Sequence, residues 1–414
     1  MLHRLQSTYH EYPSRFWVLV GASFIDRVGA TILMPFFALY VTHRFGVGMT
    51  EAGLLFSVFS VSGFAGNMLG GALTDRFGRK GMVLFGLVFS ALSNLTMGFV
   101  GTLSTFYVLA VFVGFLSDVA GPAHGAMVAD LLPEHQRAEG YGILRVVGNL
   151  AWIVGPTIGG LLASRSFLLL FILDAACSLV TAAIVFRLLP ETRPEARQAA
   201  QRESMASTFG GYFKVLSDGV FVSFVLMAAL MNLVYLQLYS TLSVYLRDVH
   251  AVPAQGYGFL MSANAVLVVL TQFWVTRRIR PYPPMLMMAM GTALYMVGFA
   301  AYGFVGVYPA FLAAMLVITV GEMIVMPVSN ALVARFAPAD MRGRYMAIAG
   351  LSWGIPSAVG PLAAGVILDN YNPNLVWYAA GGLAAVAALG FLVLNSAAGA
   401  RLATMEVQAE AVSD

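Results

Sequence analysis

Six ionisable side chains interrupt the long apolar runs of this chain: Asp26, Arg27, Asp118, Arg145, Asp174 and Glu322. A charged group at bilayer depth is costly and faces a cavity or a partner. Carboxylates held there can take up and release protons, while basic groups either neutralise them or hold an anionic solute. Asp26 and Arg27 stand about eleven residues into the first run, roughly 16 Å deep at a rise of about 1.5 Å per residue. Asp118 and Glu322 lie about halfway along the fourth and tenth runs, and Asp174 a turn or two from the outer end of the sixth. Asp26 therefore reads as a proton-binding carboxylate, with a structural ion pair to Arg145 or Arg27 as the alternative. Glu322, in Thr319-Val320-Gly321-Glu322-Met323-Ile324, has no basic residue within two turns. It reads as a proton site or an anchor for a cationic substrate, against a hydrogen-bonded core acid. Asp118, just ahead of Ala120, Gly121 and Pro122, suits the same task.

The elements that must position these groups are membrane helices. Of 414 residues, 59% are hydrophobic and 10% charged, whereas soluble domains carry about 25% charged residues. A hydrocarbon core of about 30 Å needs roughly twenty apolar residues per helix. Twelve stretches reach that length, at approximately 16–42, 51–73, 82–101, 104–130, 139–163, 166–189, 219–246, 256–276, 285–304, 308–335, 344–368 and 375–396. The first is too long for a signal-peptide core and is expected to stay. The polar segment Pro190–Ser217 divides the chain into an N-terminal six-helix bundle (1–189), a cytosolic linker (190–217) and a C-terminal six-helix bundle with a short tail (218–414). Lys and Arg concentrate on the side of the N-terminus, and the opposite loops hold only Arg44, Arg165 and Arg247. This asymmetry predicts a multi-pass plasma-membrane protein with both termini in the cytosol.

The halves repeat. A gapless shift of 205 positions sets Pro122 on Pro327, Arg137 on Arg342, Gly155-Pro156 on Gly360-Pro361, Gly160 on Gly365, Tyr40 on Tyr245 and Ser57 on Ser262. Two bundles of common origin follow.

Gly71-Ala72-Leu73-Thr74-Asp75-Arg76-Phe77-Gly78-Arg79-Lys80 forces the chain out of the bilayer and back within about ten residues. It resembles the G-x-L-a-D-R-x-G-R-K loop of the major facilitator superfamily, departing only at Thr74. The resemblance implies an all-α fold of twelve helices in two pseudo-symmetric bundles, working by alternating access around a site between halves. It also implies a cytosolic gate in which Gly71, Asp75, Arg76, Gly78 and Arg79 cooperate with Asp130 against the start of the eleventh helix, near Met341 to Tyr345. Asp75 maps onto Arg280 in the second half, so only the first half has the full latch. Gly155, Pro156, Gly159 and Gly160 resemble the family's G-P-x-x-G-G signature, associated with antiporters; small residues and proline let such a helix bend or slide. Drug exporters of the family carry an acid placed like Asp26. The fourth-helix Arg common in the family is missing, and Arg145 is the candidate substitute.

Cavity candidates are Met231, Asn232, Tyr235 and Tyr239 in the seventh helix, and Asn264 in the eighth; the alternative is that these stripes simply pack against helices or lipid. The histidines are scattered without metal-ligand spacing, Cys177 is a lone packed thiol, and no phosphate-binding glycine loop appears. The expectation is a transporter and not an enzyme, without cofactor, metal or nucleic acid. Its partners would be a small-molecule substrate, protons and membrane lipids, and its family habit is a monomer. Proton-coupled efflux of amphipathic or drug-like compounds leads; symport or uniport of a sugar, peptide or organic acid, and lipid export or flipping, are the alternatives.

Overall fold

A computed structural model describes residues 11–192, 205–338 and 341–413. Of the histidines, His3 and His10 lie outside the described residues, as does the side chain of His135; of the residues singled out above, so do the side chains of Asp75 and Asp118 and the surroundings of Gly71. Every regular element among the described residues is a helix. Hydrocarbon offers the backbone no hydrogen-bonding solvent, so a spanning segment must satisfy its own N–H and C=O groups. Among the described residues, twelve helical stretches are long and apolar enough to cross: Ser14–Phe45, Met49–Gly70, Arg79–Phe99, Leu103–Leu131, Glu139–Ala163, Leu168–Leu188, Gly219–Ser240, Ala254–Ile279, Pro284–Tyr302, Tyr308–Phe336, Gly343–Asn370 and Leu375–Ala397. The protein is an integral multi-pass membrane protein.

Proline interrupts some of these spans and not others. The first passes from helix Ser14–Leu33 through a 3₁₀ turn at Met34–Phe36, containing Pro35, into Phe37–Phe45. The fifth runs unbroken from Glu134 to Ala163 through Pro156. The seventh run, expected to continue to residue 246, breaks after Tyr235 into two short helices, Gln237–Ser240 and Leu242–His250. Polar side chains compete for the backbone at this break. Gln237 Nε2 donates to the Leu233 carbonyl at 3.0 Å, and Thr241 Oγ1 donates to Gln237 Oε1 at 2.7 Å. Within the expected linker, Met205–Leu216 is helical.

The chain divides into two compact units, Met1–Gln198 with Leu246–Ala265, and Ala199–Tyr245 with Val266–Asp414, so the start of the eighth span is grouped with the first unit. In the first unit, the first span packs along the fifth and sixth, the sixth along the third, and the second along the fourth. Phe16, Leu19, Met82, Val119, Met127 and Val185 fill one core there. In the second unit, the seventh span packs along the eleventh and twelfth, and the ninth along the tenth and twelfth. One hydrogen bond marks the repeat in both. The buried Tyr40 hydroxyl donates to the Met97 carbonyl at 2.9 Å, and the buried Tyr245 hydroxyl lies 3.0 Å from the Tyr302 carbonyl. Both donors and both acceptors are related by the shift of 205 positions.

Candidate functional site

In the first unit, polar groups gather where the first and sixth spans meet. Gly29 sets the spacing: a Cβ there would fall 2.7 Å from Asp174 Oδ1 and 2.8 Å from Cys177 Cβ. A glycine therefore lets the helices close, and Asp174 is left only 5% exposed. The Asn94 amide of the third span donates to Asp174 Oδ2. Almost one turn before Gly29, Asp26 accepts a hydrogen bond from Ser178 Oγ at 3.3 Å. Residues three and four apart share a helix face, so Asp26 and Gly29 line one side of the seam, Asp174 and Ser178 the other. The two carboxylates are close enough for the Asp26 charge to be felt at Asp174. Among the described residues neither joins an ion pair. A hydroxyl donor thus supports one acid and an amide donor the other.

Basic groups stand beside this seam. Arg27 is exposed and lies against Gly148 of the fifth span, where a Cβ would sit 3.5 Å from Arg27 Cδ; Arg145, also exposed, precedes Gly148 by three residues. A turn before Asp26, the buried Ser23 hydroxyl shares a 2.9 Å hydrogen bond with His124 Nε2. His124 thus sits inside the fourth span.

The glycine-proline motif divides its contacts. Gly155 and Gly159 face the first span, at Thr31 and at Ile32 and Phe36, whereas Gly160 meets the backbone of Ala254, Gln255 and Gly258 at the start of the eighth. The Thr31 hydroxyl lies 3.0 Å from the Ala151 carbonyl.

At the loop joining the second and third spans, Arg79 Nε donates to Asp130 Oδ2 at 3.2 Å. Arg76 lies over the Phe77 ring. Gly78 turns the chain at φ +89°, a left-handed conformation that glycine adopts freely. The third helix then starts with a guest that sequence reasoning missed. Glu191 Oε1 accepts from the Arg79 N–H at 2.8 Å, Glu191 Oε2 from the Lys80 N–H at 3.2 Å, and the Thr192 hydroxyl donates to Asp130 Oδ2 at 3.3 Å. An anion at a helix N-terminus satisfies orphan N–H groups and the helix dipole.

In the second unit, Glu322 stands in aromatic company. Its charge acts on Tyr235, Tyr239 and Tyr295. Gly321, one residue earlier, lets the tenth span close on the ninth; a Cβ there would lie 2.7 Å from the Gly291 carbonyl and 3.0 Å from Tyr295 Cδ1. Tyr235 stacks on Tyr295 with centroids 5.7 Å apart and meets Trp353 edge-on at 6.1 Å. The Tyr235 and Tyr239 hydroxyls are 2.9 Å apart, and the Tyr295 hydroxyl is buried with no hydrogen-bond partner among the described residues. Met231 is buried, and Asn232 Nδ2 donates to the Ser352 carbonyl at 2.9 Å, which ties its amide to the eleventh span. Asn264, also buried, belongs to the first unit.

Ser178, Asn94 and His124 were not singled out from the sequence, although each is a polar residue inside an apolar run. Tyr295 and Glu191 had no such signal. Among the described residues no group of His, Cys, Asp and Glu has the arrangement of a metal site.

Twelve spans, a repeat and carboxylates held at depth describe a membrane carrier. The Major Facilitator Superfamily model matches residues 19–361 and 286–409, and the chain belongs to that superfamily of transporters; it is not an enzyme. It is 26% identical over 375 residues to a Na(+), Li(+), K(+)/H(+) antiporter of Planococcus maritimus, covering 83% of this chain and 87% of the relative. It is 25% identical over 386 residues to the multidrug resistance protein MdtH of Citrobacter koseri, covering 90% and 88%. The fold matches that of the nucleoside transporter NupG with a TM-score of 0.79 at 13% identity, covering 92% of this chain and all of that one.

Proposed function

We propose that this transporter is a proton-coupled antiporter of the plasma membrane, monomeric, with both termini in the cytosol, that exports amphipathic small molecules. The observation that carries the reading is Asp26: a carboxylate deep in the first span, held by the Ser178 hydroxyl and without an ion-pair partner among the described residues. An ionisable group in that setting marks a proton or ion pathway. Asp26 is the coupling site, with Asp118 and Glu322 as further carboxylates and Arg27 and Arg145 as basic partners. The Arg79–Asp130 pair belongs to the cytosolic gate, and the Gly155–Gly160 segment is where the fifth span moves against the first. The name of the MdtH relative supports a drug-like cargo, which the aromatic surroundings of Glu322 suit when the compound carries a positive charge.

A second reading is monovalent-cation/proton antiport. It is favoured by the seam where Asp26 and Asp174 stand with Ser178 and Asn94, since hard cations prefer carboxylate, hydroxyl and amide oxygens. The name of the Planococcus relative points the same way.

Proteoliposomes containing a pH-sensitive dye separate the two. Lipophilic cations should drive proton movement in the wild type and not in Asp26→Asn, while NaCl, LiCl and KCl do nothing. Proton movement driven by the salts would replace the first reading with the second. Movement driven by neither, with a lipophilic cation still bound, would overturn antiport altogether.

A further inference from the structure

Outer loops of membrane proteins are poor in basic residues, and this chain places only Arg44, Arg165 and Arg247 there. Arg247 is satisfied locally: its guanidinium donates to the carboxylate of Asp248, with Nη2 to Oδ2 at 2.8 Å, and its Nη1 donates to the Thr42 hydroxyl at 2.9 Å. The other two meet. A cavity of about 470 Å³ in the first unit, where the first, third, fifth and sixth spans end, is lined by Arg44, Arg165 and His43, and by Ser164 and Ser166 on either side of Arg165 in the chain. It lies at the opposite end of the third span from the Arg79–Asp130 pair, because Gly98 and Phe99 form its wall.

Three features select a ligand. No carboxylate lines the cavity, and among the described residues neither arginine forms an ion pair. The Tyr40 hydroxyl, committed as a donor to the Met97 carbonyl, leaves its oxygen close enough to Arg44 to feel that charge. Phe167 packs its ring against the His43 imidazole, and Phe99, 66% exposed, turns an apolar face outward beside the cations. Two guanidiniums lining one cavity, with the Ser166 hydroxyl beside them, fit the oxygens of a phosphate group, and an exposed phenylalanine at the same rim fits what an acyl-bearing ligand would add.

We propose that this cavity binds a phosphate-bearing anion at the outer membrane surface, either the headgroup of an anionic phospholipid or a free phosphate. The full chain, purified in detergent, is titrated by thermal shift with dihexanoyl phosphatidylglycerol, dihexanoyl phosphatidylcholine and inorganic phosphate at constant ionic strength. The wild type should be stabilised by phosphatidylglycerol and not by phosphatidylcholine. In Arg44→Gln/Arg165→Gln that response should weaken by at least about tenfold, as expected when two charge-assisted contacts are lost, while Arg247→Gln keeps it. Inorganic phosphate separates the sources: stabilisation by phosphate as strong as by phosphatidylglycerol assigns a free-anion site, and stabilisation only by the lipid assigns a headgroup site. Equal responses to both lipids, or an unchanged response in the double variant with a wild-type unfolding temperature, would overturn the proposal.

Discussion

Asp26 and Glu322 are both carboxylates midway through a span, and the two units hold them by different means. Asp26 has a hydroxyl donor, a second carboxylate nearby and Arg27 beside it, all along the seams that the first span makes with its neighbours. Glu322 stands close enough to three tyrosines to act on each electrostatically, next to a glycine that lets the tenth span close on the ninth. The shift of 205 positions shows what changed. Met231 stands where Asp26 does, Asn232 where Arg27 does, Ala379 where Asp174 does, and Trp353 where Gly148 does. In the other direction, Ala30 corresponds to Tyr235 and Ser90 to Tyr295. The backbone scaffold was kept, as the paired bonds of Tyr40 and Tyr245 show, while charge was concentrated in one copy and aromatic surface in the other. On the proposed function, the first unit handles the proton and the second recognises the cargo.

The largest effect should come from separating those roles. Asp26→Asn is expected to reduce substrate-driven proton release to background while a lipophilic cation still binds. Glu322→Gln is expected to leave proton release measurable at saturating substrate and to weaken cation binding by about tenfold, the loss of roughly one charge-assisted contact. Isothermal titration and dye-reported proton flux on the same preparations decide the matter. If both variants lose flux equally with unchanged binding, the two units share one role and the contrast fails.

Next in size is the close packing that brings each acid into place. Gly29→Ala and Gly321→Ala each put a methyl group 2.7 Å from an oxygen, a side-chain carboxylate oxygen in the first case and a backbone carbonyl in the second. Overpacking of this kind costs about 1–3 kcal/mol. A side chain can yield where backbone cannot, so Gly321→Ala should lower the unfolding temperature more. Gly29→Ala should instead disturb the Asp174 surroundings and proton release. Gly350, where an added methyl group would meet nothing within 4 Å, serves as the control; its replacement by Ala should be neutral or stabilising by up to about 1 kcal/mol.

The spans were legible because a helix of twenty apolar residues needs no partner to be recognised, and the repeat because proline and glycine keep their places when apolar residues drift. The buried acids were legible for the converse reason, each being expensive where it stands. Their partners were harder. Helices that are apolar on every side give no clue to which face meets which neighbour, so nothing in the sequence tied Asn94 to Asp174 or Ser178 to Asp26. Gly29 was equally silent, although it decides how close those two helices come. Glu191 hid differently: it sits in a charged segment that reads as solvated linker, and only the path of the chain after the sixth span returns it to the third.

A smaller effect tests whether the repeat is energetically as well as geometrically shared. Tyr40→Phe and Tyr245→Phe each leave a buried carbonyl short of one donor, at about 0.5–1.5 kcal/mol per hydrogen bond. The Tyr245 hydroxyl also lies 2.7 Å from Asn374 Oδ1, so its loss should lower the unfolding temperature more than that of Tyr40. The reverse order would mean that Arg44, which faces the Tyr40 oxygen, depends on it more than the carbonyl does.

The smallest expected change lies at the loop that only the first unit elaborates. Glu191→Gln keeps an acceptor for the Arg79 and Lys80 N–H groups but removes the negative charge from the start of the third span, worth about 0.3–1 kcal/mol at low salt. Because that charge is exposed to solvent, salt should screen it, and the difference in unfolding temperature between wild type and variant should shrink as ionic strength rises over the range where the Debye length falls to about 8 Å. The Arg79–Asp130 pair, whose side chains are 13% and 22% exposed, should respond less to salt when broken by Asp130→Asn. A variant pair with the opposite salt dependence would show that Glu191, and not Arg79, is the residue that holds this loop together.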